Sequence, residues 1–139
     1  MASMIYHNFF ERLGRGAGDL QSVTVKCALV TSSYTANKDH DFFDDVSANE
    51  VAATGNYVAG GDTITVTVTD DDANDRCDIV LGEAQWTTAT ITARGAVYYV
   101  DTGGASSTDW LIAHVDFGTD QSSSSGTFTL SASTVRIPT

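Results

Sequence analysis

Proline is almost missing from this sequence. Its one copy, Pro138, stands next to the last of 139 residues, so no element interior carries a residue that lacks an N–H donor. Cysteine is nearly as scarce. Cys27 and Cys77 are too few for a disulfide framework and do not form a Cys-x-x-Cys metal pair. Each lies in a run that reads as a strand, which suits two buried, reduced thiols; a bridge between them is left open. Basic residues are also few: 7 Lys and Arg face 18 Asp and Glu, a formal net charge of −11. Nucleic-acid surfaces need clustered Lys and Arg to displace counterions, and anionic membranes attract the same groups, so neither is an expected partner. No apolar run reaches the roughly 18 residues that a membrane span needs. The N-terminus has no basic stretch followed by a long apolar one, so no secretory signal is read there and accumulation in the cytoplasm where it is made is expected.

What remains is a composition for pleated sheet. Charged residues make up 18% and hydrophobic ones 42%, both below the globular average, and Thr and Ser fill the difference. Thr favours half-buried pleated surface. The length fits one domain over residues 1–139, and a chain of this size buries roughly 68–70% of its unfolded surface without help from metals or disulfides.

Periodicity divides the chain into short elements. Ile5, Phe9 and Leu13 are spaced by four, with Tyr6 and Phe10 beside them. This predicts one amphipathic helix from Met4 to Leu13, stopped by Gly14 and Gly16. Ser22 to Val30 alternates with period two, and Thr63 to Thr69 alternates strictly, with Ile64, Val66 and Val68 on one face and Thr on the other. Further strands are expected at Arg76–Leu81, Ala84–Thr87, Thr90–Val100, Trp110–Phe117, Gly126–Leu130 and Thr134–Ile137. Phe42 and Phe43 are expected to pin a short turn of helix in the loop-rich stretch before Asn49. Gly pairs and Ser-rich turns punctuate the runs. About eight short strands with one N-terminal helix predict a mainly β, antiparallel sandwich of jelly-roll or immunoglobulin-like type.

The chemical motifs are individually incomplete. Asp101-Thr-Gly103 follows an apolar strand, as the carboxylate of an aspartic protease does. A single copy would require a dimer, because two aspartates must share one proton; the following residue is Gly104, and the apolar-apolar-Gly element Val80-Leu-Gly82 precedes rather than follows it. Asp70, Asp72 and Asn74 alternate as an EF-hand loop begins, but its sixth and twelfth positions hold Asp75 and Leu81 instead of Gly and Glu. Only a looser calcium site remains in that acidic turn. His7, His40 and His114 have no zinc-ligand spacing. No Gly-x-Ser-x-Gly elbow and no phosphate-cradling Gly loop occur. Trp86 and Trp110 lie within strand runs and read as core or rim. No catalytic residue and no cofactor is assigned.

As an ordered set, several segments resemble one family. They begin with Val25-Lys-Cys-Ala-Leu-Val-Thr-Ser-Ser-Tyr34, Phe42-Phe-Asp-Asp-Val-Ser-Ala-Asn-Glu-Val51, Gly55 and Ala59-Gly-Gly61. They continue with Asp72-Ala-Asn-Asp-Arg76, Trp86-Thr-Thr-Ala-Thr-Ile-Thr-Ala-Arg94, Ile112 to Gly118, Asp120-Gln-Ser-Ser-Ser124 and Gly126-Thr-Phe-Thr129. Together they resemble a family of small tailed-phage virion proteins, described as head decoration, cement or tail-fibre-associated proteins. The resemblance runs over nearly the whole chain. It implies a non-enzymatic virion component, with the major capsid protein or other virion proteins as partners and a homo-oligomer as an open alternative. A capsid decoration protein is the first expectation, a tail or fibre component the second, and a dimeric protease at Asp101 a remote third. The family pattern carries no catalytic residues and lacks the two cysteines.

One expectation concerns the docking surface. Ile5, Tyr6, Phe9 and Phe10 crowd apolar groups into one short segment, and Phe42 and Phe43 add two more amid Asp residues. Interface centres are enriched in aromatics with charge at the rim. The alternative is that these six side chains seal one end of the sandwich.

Overall fold

Period-two runs of Val, Ile, Thr and aromatic residues form ten strands within residues 3–138, the part of the chain that the computed structural model describes. They are β1 Ser3–Ile5, β2 Thr24–Val30, β3 Asp62–Ile64, β4 Val66–Asp71, β5 Arg76–Leu81, β6 Ala84–Ala89, β7 Thr92–Asp101, β8 Leu111–Ser122, β9 Gly126–Leu130 and β10 Ser133–Pro138. One α-helix, α1, spans His7–Gly14. The first sheet has the order β1-β8-β7-β2-β3; opposite it lie β10-β5-β4 and the pair β6-β9. Every pairing is antiparallel. The fold is the expected mainly β sandwich.

Residues 76–138 are one long hairpin folded back on itself. Arg76 faces Pro138, Leu81 faces Ser133, and Ala84 faces Leu130, so the register runs unchanged across Gly82 and Glu83. A bulge follows between Trp86 and Ala89. Beyond it, Thr92 faces Ser122 and the ladder continues into β7 and β8. The fold-over lies at Ile91 and Ser123, which exchange two backbone hydrogen bonds of 3.1 and 2.9 Å. Ser123 Oγ also donates to the Ala89 carbonyl at 2.8 Å. The inner half of the hairpin thus supplies the first layer and the outer half the second, a two-sheet packing in which inward side chains share one core.

The strictly alternating run at 63–69 is divided where a single strand is expected, because the chain changes sheets at Thr65. β3 pairs with β2 in the first sheet, and β4 pairs with β5 in the second. Gly82 donates its N–H to the Thr65 carbonyl at 2.8 Å. The helix also differs from the expected Met4–Leu13. Ser3 to Ile5 extend as a strand along β8, and Tyr6 N–H donates to the Ile112 carbonyl. The exposed edge of β8 supplies backbone partners that outweigh a helical turn, so the helix starts at His7.

The first sheet is buried on both faces. Inward, Val25, Cys27, Leu29, Ala96, Tyr98 and Val100 pack with Ile79, Leu81, Trp86, Phe128 and Val135 of the second layer. Outward, Ala28, Val30, Val97, Tyr99 and Leu111 are covered by Tyr6, Tyr34, Phe43 and Val46. That explains why β2 and β7 read as nearly continuous apolar runs. The covering loop is held at its far end by Glu50, whose carboxylate accepts the Tyr57 hydroxyl and the Gly60 N–H, each at 2.7 Å. Tyr57 Oη accepts the Leu29 N–H at 2.9 Å.

Gly61 closes that loop against β2 with φ +79°, and a Cβ there would come within 1.9 Å of the Cys27 carbonyl oxygen. Gly61→Ala is expected to cost at least about 2 kcal/mol in urea unfolding, from backbone strain and displacement of the adjoining strand. Gly14→Ala, which meets no neighbouring atom, is expected to be neutral or stabilising by up to about 1 kcal/mol.

Candidate binding surface

The six apolar residues singled out in the sequence divide by position. Tyr6 is fully buried, its Oη 2.8 Å from Tyr34 Oη, which lies 2.9 Å from His40 Nδ1. Burial pushes the Tyr6 and Tyr34 hydroxyls up, so both stay neutral. Phe9 is buried and stacks over Trp110. Phe43, the first residue of a short 3-10 turn at Phe43–Asp45, stacks on Tyr99 with centroids 4.1 Å apart. Phe42 is half-buried with the Arg12 guanidinium over its ring. Ile5 is also half-buried against the core. Phe10 is different: it is 48% exposed.

Phe10 stands at the lip of a groove of about 710 Å³ where the sandwich is open between the β1 edge of one sheet and the β10 edge of the other. Leu81 and Tyr98 line its base with Ala113, Val115 and Val135. His7, Lys38 and Arg136 also line it, and among the described residues no Asp or Glu does. The groove draws on segments that sequence spacing does not link: Lys38 from the covering loop, Arg136 from the C-terminal strand and Ser3–Ile5 from a strand expected to be helix. The available signal was the scarcity of basic residues, which makes two in one cleft notable.

The acidic turn is organised by protein groups. Asp71, not one of the alternating positions, accepts Asn74 Nδ2 at 3.1 and 2.9 Å and meets Arg76 Nε at 3.1 Å. The Asn74 and Arg76 contacts hold its carboxyl below the usual carboxylate range. Asp70, Asp72 and Asn74 are exposed, and among the described residues no three His, Cys, Asp or Glu side chains gather as metal ligands. Asp101 pairs with Lys26 Nζ at 2.9 Å and accepts the Gly103 N–H; the Lys26 contact, ahead of the Gly103 hydrogen bond, lowers its pKa. That favours a carboxylate already ionised rather than one sharing a proton. Both cysteines are free thiols: Cys27 is buried as expected, whereas Cys77 on β5 is half-buried. Trp86 and Trp110 are both in the core. Among the described residues no helix is long and apolar enough to cross a membrane.

These positions separate packing from docking. Phe43→Ala is expected to lower unfolding free energy by about 3–5 kcal/mol, the cost of emptying a buried aromatic site. Phe10→Ala should change it by less than about 0.5 kcal/mol. Chemical denaturation of both variants checks this. His114, buried on β8 beside Tyr34, gives a pH signature. Burial pushes its imidazole below the ordinary value of 6.5, with Asp116 pulling the other way. The fold therefore favours the neutral ring, and the unfolded chain takes up the proton first. His114's contribution is fully present above about pH 6.5 and is lost as pH falls below it. The drop in urea midpoint between about pH 7.5 and 5.5 should be smaller in His114→Gln, measured side by side.

Compared with known protein families, with curated proteins and with solved structures, the chain matches none.

Proposed function

We propose that this chain is a non-enzymatic structural protein of a phage virion, a decoration or cement protein that binds the assembled head and bridges neighbouring major capsid subunits. The observation that carries the reading is the open groove between two sheet edges, floored by apolar side chains and bordered by the exposed Phe10. A cleft that runs along two sheet edges suits an extended polypeptide, which can pair with a strand edge through its main chain. The family resemblance supplies the kind of particle. The net charge of −11 keeps many copies soluble before assembly and favours a basic capsid surface. Stabilisation then follows from mass action: a ligand that binds only the assembled lattice shifts the equilibrium toward it.

Quantitative mass spectrometry of purified particles tests the reading. Hundreds of copies per particle are expected, with density on the outer head surface in cryo-electron microscopy. A handful of copies would instead place the chain in the tail or its fibres, and a head surface without it would end the decoration reading.

A further inference from the structure

We propose that the groove between β1 and β10 binds an extended, acidic segment of a partner protein, added as a strand along β10 with apolar and carboxylate side chains alternating. The inference deepens the protein-binding reading above and rests on it for the existence of a partner, while its test needs no virion.

The backbone comes first. Among the described residues β10 ladders only with β5, and β1 only with β8. No backbone hydrogen bond reaches the outer side of Ser133–Pro138 from any other described segment. An edge of six residues is a template for a further strand, and β-strand addition reads such an edge through main-chain hydrogen bonds. β1, with three residues, offers half that length.

Side chains then set the chemistry of the occupant. A strand added to β10 turns alternate residues to the sandwich interior. There they meet Val135 and Val115, with Ile5 and Phe10 on the opposite lip. The other residues turn to the outer face of that sheet, where Arg136 stands beside Asp78; Lys38 lies on the opposite lip, its carbonyl bonded to the His7 N–H, and among the described residues no carboxylate lines the cleft. Lys38 makes no ion pair among the described residues. Arg136 places Nε 2.9 Å from Asp78 yet leaves its side chain 53% exposed. His7 pairs with Asp39. In a chain with 18 acidic residues, a cleft free of them selects for negative charge in what enters it.

The probes are synthetic octapeptides alternating Val with Glu or Val with Lys, added to the isotope-labelled chain and followed by amide chemical shifts. The Glu peptide should shift Ser133–Ile137 and Ser3–Ile5. Lys38→Glu should weaken that binding at least about tenfold, which is 1.4 kcal/mol, with an unchanged melting temperature. The Lys peptide should bind at least tenfold more weakly to the parent chain. Equal binding of both peptides, shifts elsewhere, no binding of the Glu peptide at millimolar concentration, or self-association through these strands in sedimentation would each overturn the proposal. A chain that binds the Glu peptide but is absent from particles would leave this inference standing and remove the virion reading.

Discussion

The rest of this structure depends on one ladder: the antiparallel pairing that runs from the turn at 102–110 outward to Arg76 and Pro138. It makes both layers at once, because the ribbon folds over at Ile91 and Ser123. Its closed end is pinned by Asp109, a buried carboxylate that accepts both the N–H and the hydroxyl of Thr102 at 2.9 Å. Phe43 N–H donates to the Asp109 carbonyl at 2.8 Å. The turn therefore anchors the hairpin and the covering loop together. β2 and β3 then extend the first layer, and β4 extends the second.

Two-sided burial of the first sheet follows. A sandwich with one wet outer face needs polar residues at alternate positions; here Ala28, Val30, Val97 and Leu111 occupy them, and the loop after β2 must cover them. It does so with Tyr34, Phe43 and Val46, while Asp44 and Asp45 remain in water. Asp45 accepts the N–H groups of Asp41 and Phe42, which turns the two phenylalanines apart. Their aspartate-rich setting comes from that division: the ring that enters the core is flanked by groups that cap the turn.

Much of this was readable in advance, for identifiable reasons. Strands at Arg76–Leu81 and Gly126–Leu130 were delimited by turn residues at both ends. Alternation at 63–69 gave the correct faces for Ile64 and Val66 but carried no sign that the chain changes sheets at Thr65, since the side-chain period is the same in either layer. The N-terminal stripe satisfied a helical spacing over Met4–Leu13, yet Ile5 is in a strand, because backbone pairing with β8 is a long-range gain that a local pattern does not contain. The aromatic segments were equally legible as core or as contact. Position alone separates Phe43, stacked on Tyr99, from Phe10 at the groove lip. The groove itself was not legible, because it is made by two strands at opposite ends of the chain.

The nested ladder also sets an order of events. Starting at the 102–110 turn, each new pair closes only a short additional loop on those already formed. Pairing Arg76 with Pro138 directly would close the whole intervening stretch in one step, at a greater entropic cost. The route of lowest loop-closure cost therefore runs outward from that turn, pairing β7 with β8 before β5 with β10. On that route β10, which bears the open edge, takes its place near the end. An edge that could recruit stray strands is thus assembled when most of the other pairing surfaces are already occupied, which limits the time it spends beside unfinished neighbours.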